Sequence, residues 1–153
     1  MSLRSLGFDI VHMKCALAWA GLSRANRRKV GAVITKNGQL IGNGFNGTPS
    51  GFDNVCEEGI SGVYGSEDLI DPNGLVTKPE VLHAESNAIT KVARSTQSSE
   101  GSTLYVTTAP CFDCAKLIIQ AGIIRVVYLE EYKNKEGINL LKIAEIPVEQ
   151  ISV

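Results

Sequence analysis

The 153-residue chain has few aromatic residues, 6% of the total with one Trp, and its histidines are just His12 and His83. No apolar run approaches the roughly 20 residues that a membrane-crossing helix needs, and Met1-Ser2-Leu3-Arg4 leads into none, so neither a signal peptide nor a membrane partner is expected. Neither sign of charge is in excess: 15 Lys and Arg stand against 16 Asp and Glu, for a net charge of −1 and a pI near 6.1. Nothing in that balance draws the chain to nucleic acid or to an anionic surface, so a small-molecule substrate is the better expectation. Internal repeats and low-complexity tracts are also missing. The length suits one sizeable core, and residues 1–153 are read as a single domain. Four cysteines would permit two disulfides in a secreted protein, but without a secretion signal the expected setting is reducing and cytoplasmic, with Cys15 and Cys56 free.

What the chain does have is His83-Ala84-Glu85, followed by Pro110-Cys111-Phe112-Asp113-Cys114. One imidazole and two thiols leave a tetrahedral metal with a vacant corner, the layout of a catalytic rather than a structural zinc site. Such an ion makes a water at that corner acidic near neutral pH, and Glu85, which need not be a ligand, can take the proton and pass it on. Either half alone is weak, because a lone His is usually an ordinary core or surface residue and a lone Cys-x-x-Cys is often redox-active or half of a zinc ribbon. Neither of those alternatives accounts for Glu85. His12 falls in a helical pattern and is read as a plain helix residue, and Cys56 has no evident partners for a second metal, so one zinc per chain is expected.

Residues two apart on a helix point to nearly opposite sides, so the helix carrying His83 and Glu85 should begin at about His83. Ala88, Ile89, Val92 and Ala93 continue it at helical spacing. Pro110 suits a first helical position, with the body running over Lys116-Leu117-Ile118-Ile119-Gln120-Ala121 to Gly122. Cys111 and Cys114 then share one face of a first turn, where the helix dipole favours thiolates.

Elsewhere the pattern predicts a helix over about Leu3 to Leu22 and a strand over Val30 to Thr35. A tight turn at Asn37-Gly38 then returns an antiparallel strand over Leu40 to Phe45. From Asn46 to Pro79 the chain is glycine-rich and aperiodic, with a turn at Asp71-Pro72-Asn73-Gly74. A stretch this long in a compact domain is expected to wrap the mouth of the site or to mediate assembly. Leu104 to Thr107 and Arg125 to Leu129 read as parallel strands joined by the cysteine helix. A helix over Gly137 to Ala144 and a short strand near Ile146 to Val148 follow, giving an α/β sandwich.

With these pieces in place the chain resembles the cytidine and deoxycytidylate deaminase superfamily, most closely its deoxycytidylate (dCMP) deaminase branch, from about Leu17 to Tyr132. The resemblance rests on Arg28-Lys29-Val30-Gly31-Ala32-Val33-Ile34, on Gly44-Phe45-Asn46-Gly47-Thr48-Pro49-Ser50-Gly51, on His83 to Ile89, and on Leu104 to Thr107 with Pro110 to Gly122. The His-x-Glu and Pro-Cys-x-x-Cys pair belongs to zinc nucleobase deaminases as a class. The Gly-Phe-Asn-Gly segment with a long insertion before the histidine points to the dCMP branch.

That resemblance implies a cytidine deaminase-like three-layer sandwich, a five-stranded mixed sheet with helices on both faces. It also implies hydrolysis of dCMP to dUMP and ammonia, with zinc on His83, Cys111 and Cys114 and with Glu85 moving protons. By the same likeness Asn46, the Ala84 backbone and Tyr132 contact the substrate. From the basic cluster, Arg24 or Arg28 would hold the phosphate, although charge runs are more often solvated faces. Members of the branch are homohexamers activated by dCTP and inhibited by dTTP. Gly44, Phe45, Asn46, Gly47 and Arg94 are then regulatory candidates, with Mg2+ accompanying the triphosphate. The alternatives are a deaminase of another nucleoside or nucleobase, or a nucleic-acid editing deaminase, which a basic stripe would mark.

Overall fold

The computed structural model describes residues 3–59 and 74–153. Helix α1 spans Leu3–Ala20 and leads to strands β1 (Gly31–Lys36) and β2 (Gln39–Phe45). Asn37 and Gly38 between these strands take φ of 52° and 77°, the doubly left-handed turn that an Asn-Gly pair favours. Then follow β3 (Glu57–Gly59), β4 (Leu75–Thr77), α2 (Ala84–Ala93), β5 (Thr103–Thr108), α3 (Phe112–Gln120), β6 (Arg125–Glu130), α4 (Glu136–Ile143) and β7 (Val148–Gln150). The main sheet has the order β2-β1-β5-β6-β7, antiparallel from β2 through β5 and parallel from β5 through β7. This is the five-stranded mixed sheet that the family resemblance implied.

Strand alternation sorts the core into two halves. Ala32, Ile34, Leu104, Val106, Val126 and Tyr128 point to one face and are covered by α2, α3 and α4 through Ala84, Ala88, Val92, Ala115, Ile118 and Leu141. Val33, Tyr105 and Val127 point to the other face and meet Met13 and Ala16 of α1. Period-two strands with apolar residues on both faces require helices on both, which makes three layers.

α1 lies so close to β1 that a Cβ built at Gly31 would collide with the Ala16 carbonyl oxygen and lie 2.5 Å from the Ala20 amide nitrogen. Both neighbours are backbone and cannot swing aside, so Gly31→Ala must push the helix off the sheet. It is expected to cost about 1–3 kcal/mol, the usual range for overpacking. An unchanged urea midpoint would mean that α1 is less firmly seated than this contact requires.

Several boundaries differ from the sequence reading. α1 ends at Ala20 rather than Leu22, and α4 begins at Glu136 rather than Gly137. The last strand starts at Val148 because Glu145 turns left-handed at φ 58° and the Ile146 amide bonds back to the Leu141 carbonyl at 3.0 Å, which closes α4 instead of opening a strand. Pro110 lies outside α3, since Cys111 is the residue that caps it. The stretch 46–79 is not elementless: β3 and β4 pair antiparallel as a small ribbon, Glu57 opposite Thr77, and Gly47 and Leu82 form an isolated antiparallel bridge. The turn expected at Asp71-Pro72-Asn73-Gly74 lies, apart from Gly74, outside the described residues.

Candidate active site

The N-termini of α2 and α3 converge on one point. His83 is the N-cap of α2, with extended backbone at φ −72° and ψ 156°. It therefore leaves the helix axis while Glu85, two residues on, sits within the first turn. Cys111 caps α3 in the same extended manner, and its sulfur accepts the Cys114 amide at 3.5 Å. Cys114 is on the first turn above it.

His83 Nδ1 lies 3.4 Å from Cys111 Sγ and 3.4 Å from Cys114 Sγ, and the three donor atoms are all within 4.8 Å of one another. A tetrahedral zinc with metal–nitrogen bonds near 2.05 Å and metal–sulfur bonds near 2.3 Å separates N and S by about 3.5 Å. The donor set thus fits a zinc ion in kind and in spacing. Among the described residues it is the one such group of His, Cys, Asp and Glu side chains.

The electrostatics agree with that use. The Cys114 thiol and the His83 ring hydrogen-bond the Cys111 sulfur and hold its pKa down to about 4. The same bond to the Cys111 thiolate, together with burial, pushes Cys114 up, and the bond to Cys111 raises His83. Two neighbouring sulfurs sharing one proton are what a dication converts into two thiolates. Glu85 is 4% exposed, and burial raises its carboxyl above the ordinary value. A carboxyl so placed exchanges protons near neutral pH more readily than a solvated one.

A cavity of about 730 Å³ opens over this cluster. Asn46, Ala84, Arg28 and Tyr132 line it, with His83, Glu85 and Cys111 in its wall. Arg24 does not: it is exposed and outside the lining, because Ser23 and Ala25 turn inward and Arg27 and Arg28 take the cavity side. Asn46 is already engaged, its Oδ1 accepting the Val30 amide at 2.8 Å and its Nδ2 donating to the Arg28 carbonyl at 2.8 Å. It braces the basic segment, leaving one N–H for a ligand. Sequence reasoning passed over Glu57, Thr77 and Lys133, which also line the cavity. No motif or periodicity signals them, since they reach the site only through the fold.

A second cavity, of about 510 Å³, lies on the other side of residues 45–47. Phe45, Gly47 and Arg94 line it with Phe52, Asn87 and Lys91, whereas Asn46 faces the first cavity. Gly44 belongs to neither: a Cβ there would strike the Ala84 carbonyl oxygen and lie 2.6 Å from the Ala88 amide nitrogen, so this glycine seats α2 on β2. Among the described residues no Asp or Glu lines the second cavity, so they offer no carboxylate there for Mg2+.

A three-layer α/β sandwich in which one His and two Cys converge beside a buried carboxylate at the wall of a cavity carries the donor set of a zinc-dependent enzyme. The family model for the cytidine and deoxycytidylate deaminase zinc-binding region matches residues 8–130, and the chain belongs to that family. It is 42% identical to the deoxycytidylate deaminase of Enterobacteria phage T4, over 71% of each chain. Against the Saccharomyces cerevisiae deoxycytidylate deaminase it is 36% identical over 95% of its own length and 45% of the yeast protein's. Among solved structures, dCMP deaminase from the cyanophage S-TIM5 in complex with dCMP and dUMP superposes with a TM-score of 0.83 at 39% identity, covering 99% of both chains. No described helix is long and apolar enough to cross a membrane.

Proposed function

We propose that this chain hydrolyses dCMP to dUMP and ammonia, with zinc held by His83, Cys111 and Cys114 and with Glu85 as the proton carrier. The observation that carries this is the set of three donor atoms within 4.8 Å of one another, beside a carboxylate that is 4% exposed. Likeness over the full chain to a deaminase crystallised with dCMP and dUMP supports the choice of substrate. Bound zinc supplies Lewis acidity that makes water a competent nucleophile at neutral pH.

The remaining work falls to the chain. Glu85 accepts one proton of the attacking water and gives it to the ring nitrogen as the C4–O bond forms. It then takes the second proton from the new C4 hydroxyl and delivers it to the amine, so that the C4–N bond breaks, the C4 carbonyl forms and ammonia leaves. Tyr132 and the Ala84 backbone border the base, and the free N–H of Asn46 is available to the sugar. The phosphate lies against Arg27 and Arg28, the guanidinium groups that line the cavity. Arg28 is oriented there by Glu130 at 3.6 Å and by the Glu131 carbonyl at 3.4 Å.

Regulation by dCTP as activator and dTTP as inhibitor fits the second cavity, where Lys91 and Arg94 offer positive charge and Phe45 an aromatic face. Phe45 and Gly47 flank Asn46, which lines the substrate cavity, so a ligand in the second cavity acts on the two neighbours of a substrate-cavity residue. A magnesium ion at that site would be held by the triphosphate, since no carboxylate is among the described lining residues. We also place the chain in a homohexamer, to be weighed by sedimentation.

Ammonia release from dCMP, CMP and deoxycytidine, each with and without dCTP or dTTP, tests the whole reading. Turnover of dCMP well above that of deoxycytidine is expected, and equal turnover of the two would exclude a phosphate-reading site. Cys111→Ser should lose zinc and activity together, as metal analysis and the same assay would report.

A further inference from the structure

Segment 23–30 reaches the cavity without any regular secondary structure, yet it is pinned at Ser23, Ala25, Asn26, Arg27, Arg28 and Val30. Ser23 Oγ donates to the Asn46 carbonyl at 2.7 Å and accepts the Ala25 amide at 3.2 Å, and Asn46 holds Arg28 and Val30. Between these ties lie Asn26 and Arg27, and their anchor comes from far away in sequence. Glu57, the first residue of β3 and 7% exposed, accepts the Asn26 amide at 2.9 Å and the Arg27 amide at 3.2 Å through Oε1. Its Oε2 accepts Asn26 Nδ2 at 3.4 Å. Thr77, paired with Glu57 across the ribbon, accepts Arg27 Nη1 at 3.0 Å through its hydroxyl. Arg27 Nε is buried and has no hydrogen-bond partner among the described residues, while the side chain lines the cavity.

Burying the Glu57 carboxylate costs desolvation, which the three hydrogen bonds it accepts offset while they fix the segment. From this geometry we infer that the β3–β4 ribbon of the long insertion is a brace for the phosphate-binding segment, with Glu57 as a positioning residue for Arg27. The inference rests on the proposed monophosphate substrate. Glu57 does not touch the reacting atoms. It sets the backbone from which Arg27 presents its guanidinium, and Thr77 fixes the direction of that group. The side chain so held lines the cavity, which offers its guanidinium to the substrate phosphate. The insertion thereby governs affinity for the charged substrate and leaves the chemistry at Glu85 alone.

The zinc-loaded parent protein, Glu57→Ala, Glu57→Gln and Thr77→Val are compared by steady-state kinetics on dCMP. Thermal melts and zinc content report whether each is folded and loaded. Glu57→Ala should raise KM by roughly tenfold or more with kcat within about threefold of the parent, the signature of lost binding rather than lost chemistry. Glu57→Gln keeps an acceptor oxygen for both amides and should restore most of the parent KM. Thr77→Val, which keeps the shape and removes the acceptor of Arg27, should raise KM by several-fold at unchanged kcat, and it carries the test if Glu57→Ala does not fold. A parental KM in folded Glu57→Ala or in Thr77→Val overturns the inference, as does a fall in kcat without a rise in KM, or a Gln variant no better than Ala. If instead the parent itself does not deaminate dCMP, it is the substrate reading that fails.

Discussion

Glu85→Gln is expected to lower kcat on dCMP by about a thousandfold, within the range removed with a general acid–base, while zinc content and melting temperature stay near those of the parent. The substitution keeps the shape of the side chain and removes its capacity to carry a proton at any accessible pH. Glu85 is outside the donor cluster of His83, Cys111 and Cys114, so the metal should remain. Its burial makes the charged form costly, and relieving that cost with a neutral amide offsets whatever favourable interaction the carboxylate has with the positive end of α2. Stability therefore moves little while catalysis collapses. Ammonia release followed beside metal analysis separates the two effects, and a kcat within tenfold of the parent would remove Glu85 from the mechanism.

The parts of this site that could be read from the chain are those whose partners are close in sequence or share a helix turn. His83 and Glu85 at the mouth of one helix, and Cys111 and Cys114 across the first turn of another, are local facts, and helical geometry constrains them before any tertiary contact forms. The apolar alternation of Ala32, Val33 and Ile34, and of Leu104, Tyr105 and Val106, likewise announces strands covered on both faces. Glu57 could not be read this way, because the amides it satisfies are 30 and 31 residues earlier. The ribbon that carries it has strands of three residues each, too short for a period to show. The choice among Arg24, Arg27 and Arg28 depends on which way an irregular segment turns, and Ser23, Asn46 and Glu57 decide that turn from three different parts of the chain. Gly44 illustrates the opposite error. It stands in a segment that resembles a ligand loop, yet the reason for a glycine there is the approach of α2.

Arg125→Met is expected to be the most destabilising of the substitutions considered, by about 3–5 kcal/mol at pH 7, the range for removing one partner of a buried ion pair. On the sheet face away from the active site, Arg125 Nη1 and Nη2 donate to the two oxygens of Asp9, both at 2.8 Å. Arg125 also donates to Glu149 at 3.0 and 2.8 Å, and Tyr105 Oη donates to Asp9 Oδ1 at 2.6 Å. Asp9 is 2% exposed, so methionine fills the guanidinium stem's space and leaves a buried carboxylate with the Tyr105 hydroxyl and the nearby His12 ring in place of an ion pair.

The pH dependence distinguishes this from a packing defect. In the parent, the hydrogen bonds from Arg125 hold the Asp9 and Glu149 carboxyls below their ordinary values. Their contribution to stability is therefore complete above the unfolded-state values, about 3.9 and 4.3, and is lost as pH falls through the lower folded-state values. In Arg125→Met the burial of Asp9 is opposed only by Tyr105 and His12, and its carboxyl is expected to rise above the unfolded value. That variant gains stability as pH falls through the raised value, because the folded state then takes up a proton. The difference between parent and variant should consequently shrink from pH 7 toward pH 4 in urea melts. A difference that stays constant over that interval would mean that lost contacts around the arginine stem, and not the stranded Asp9 charge, set the cost.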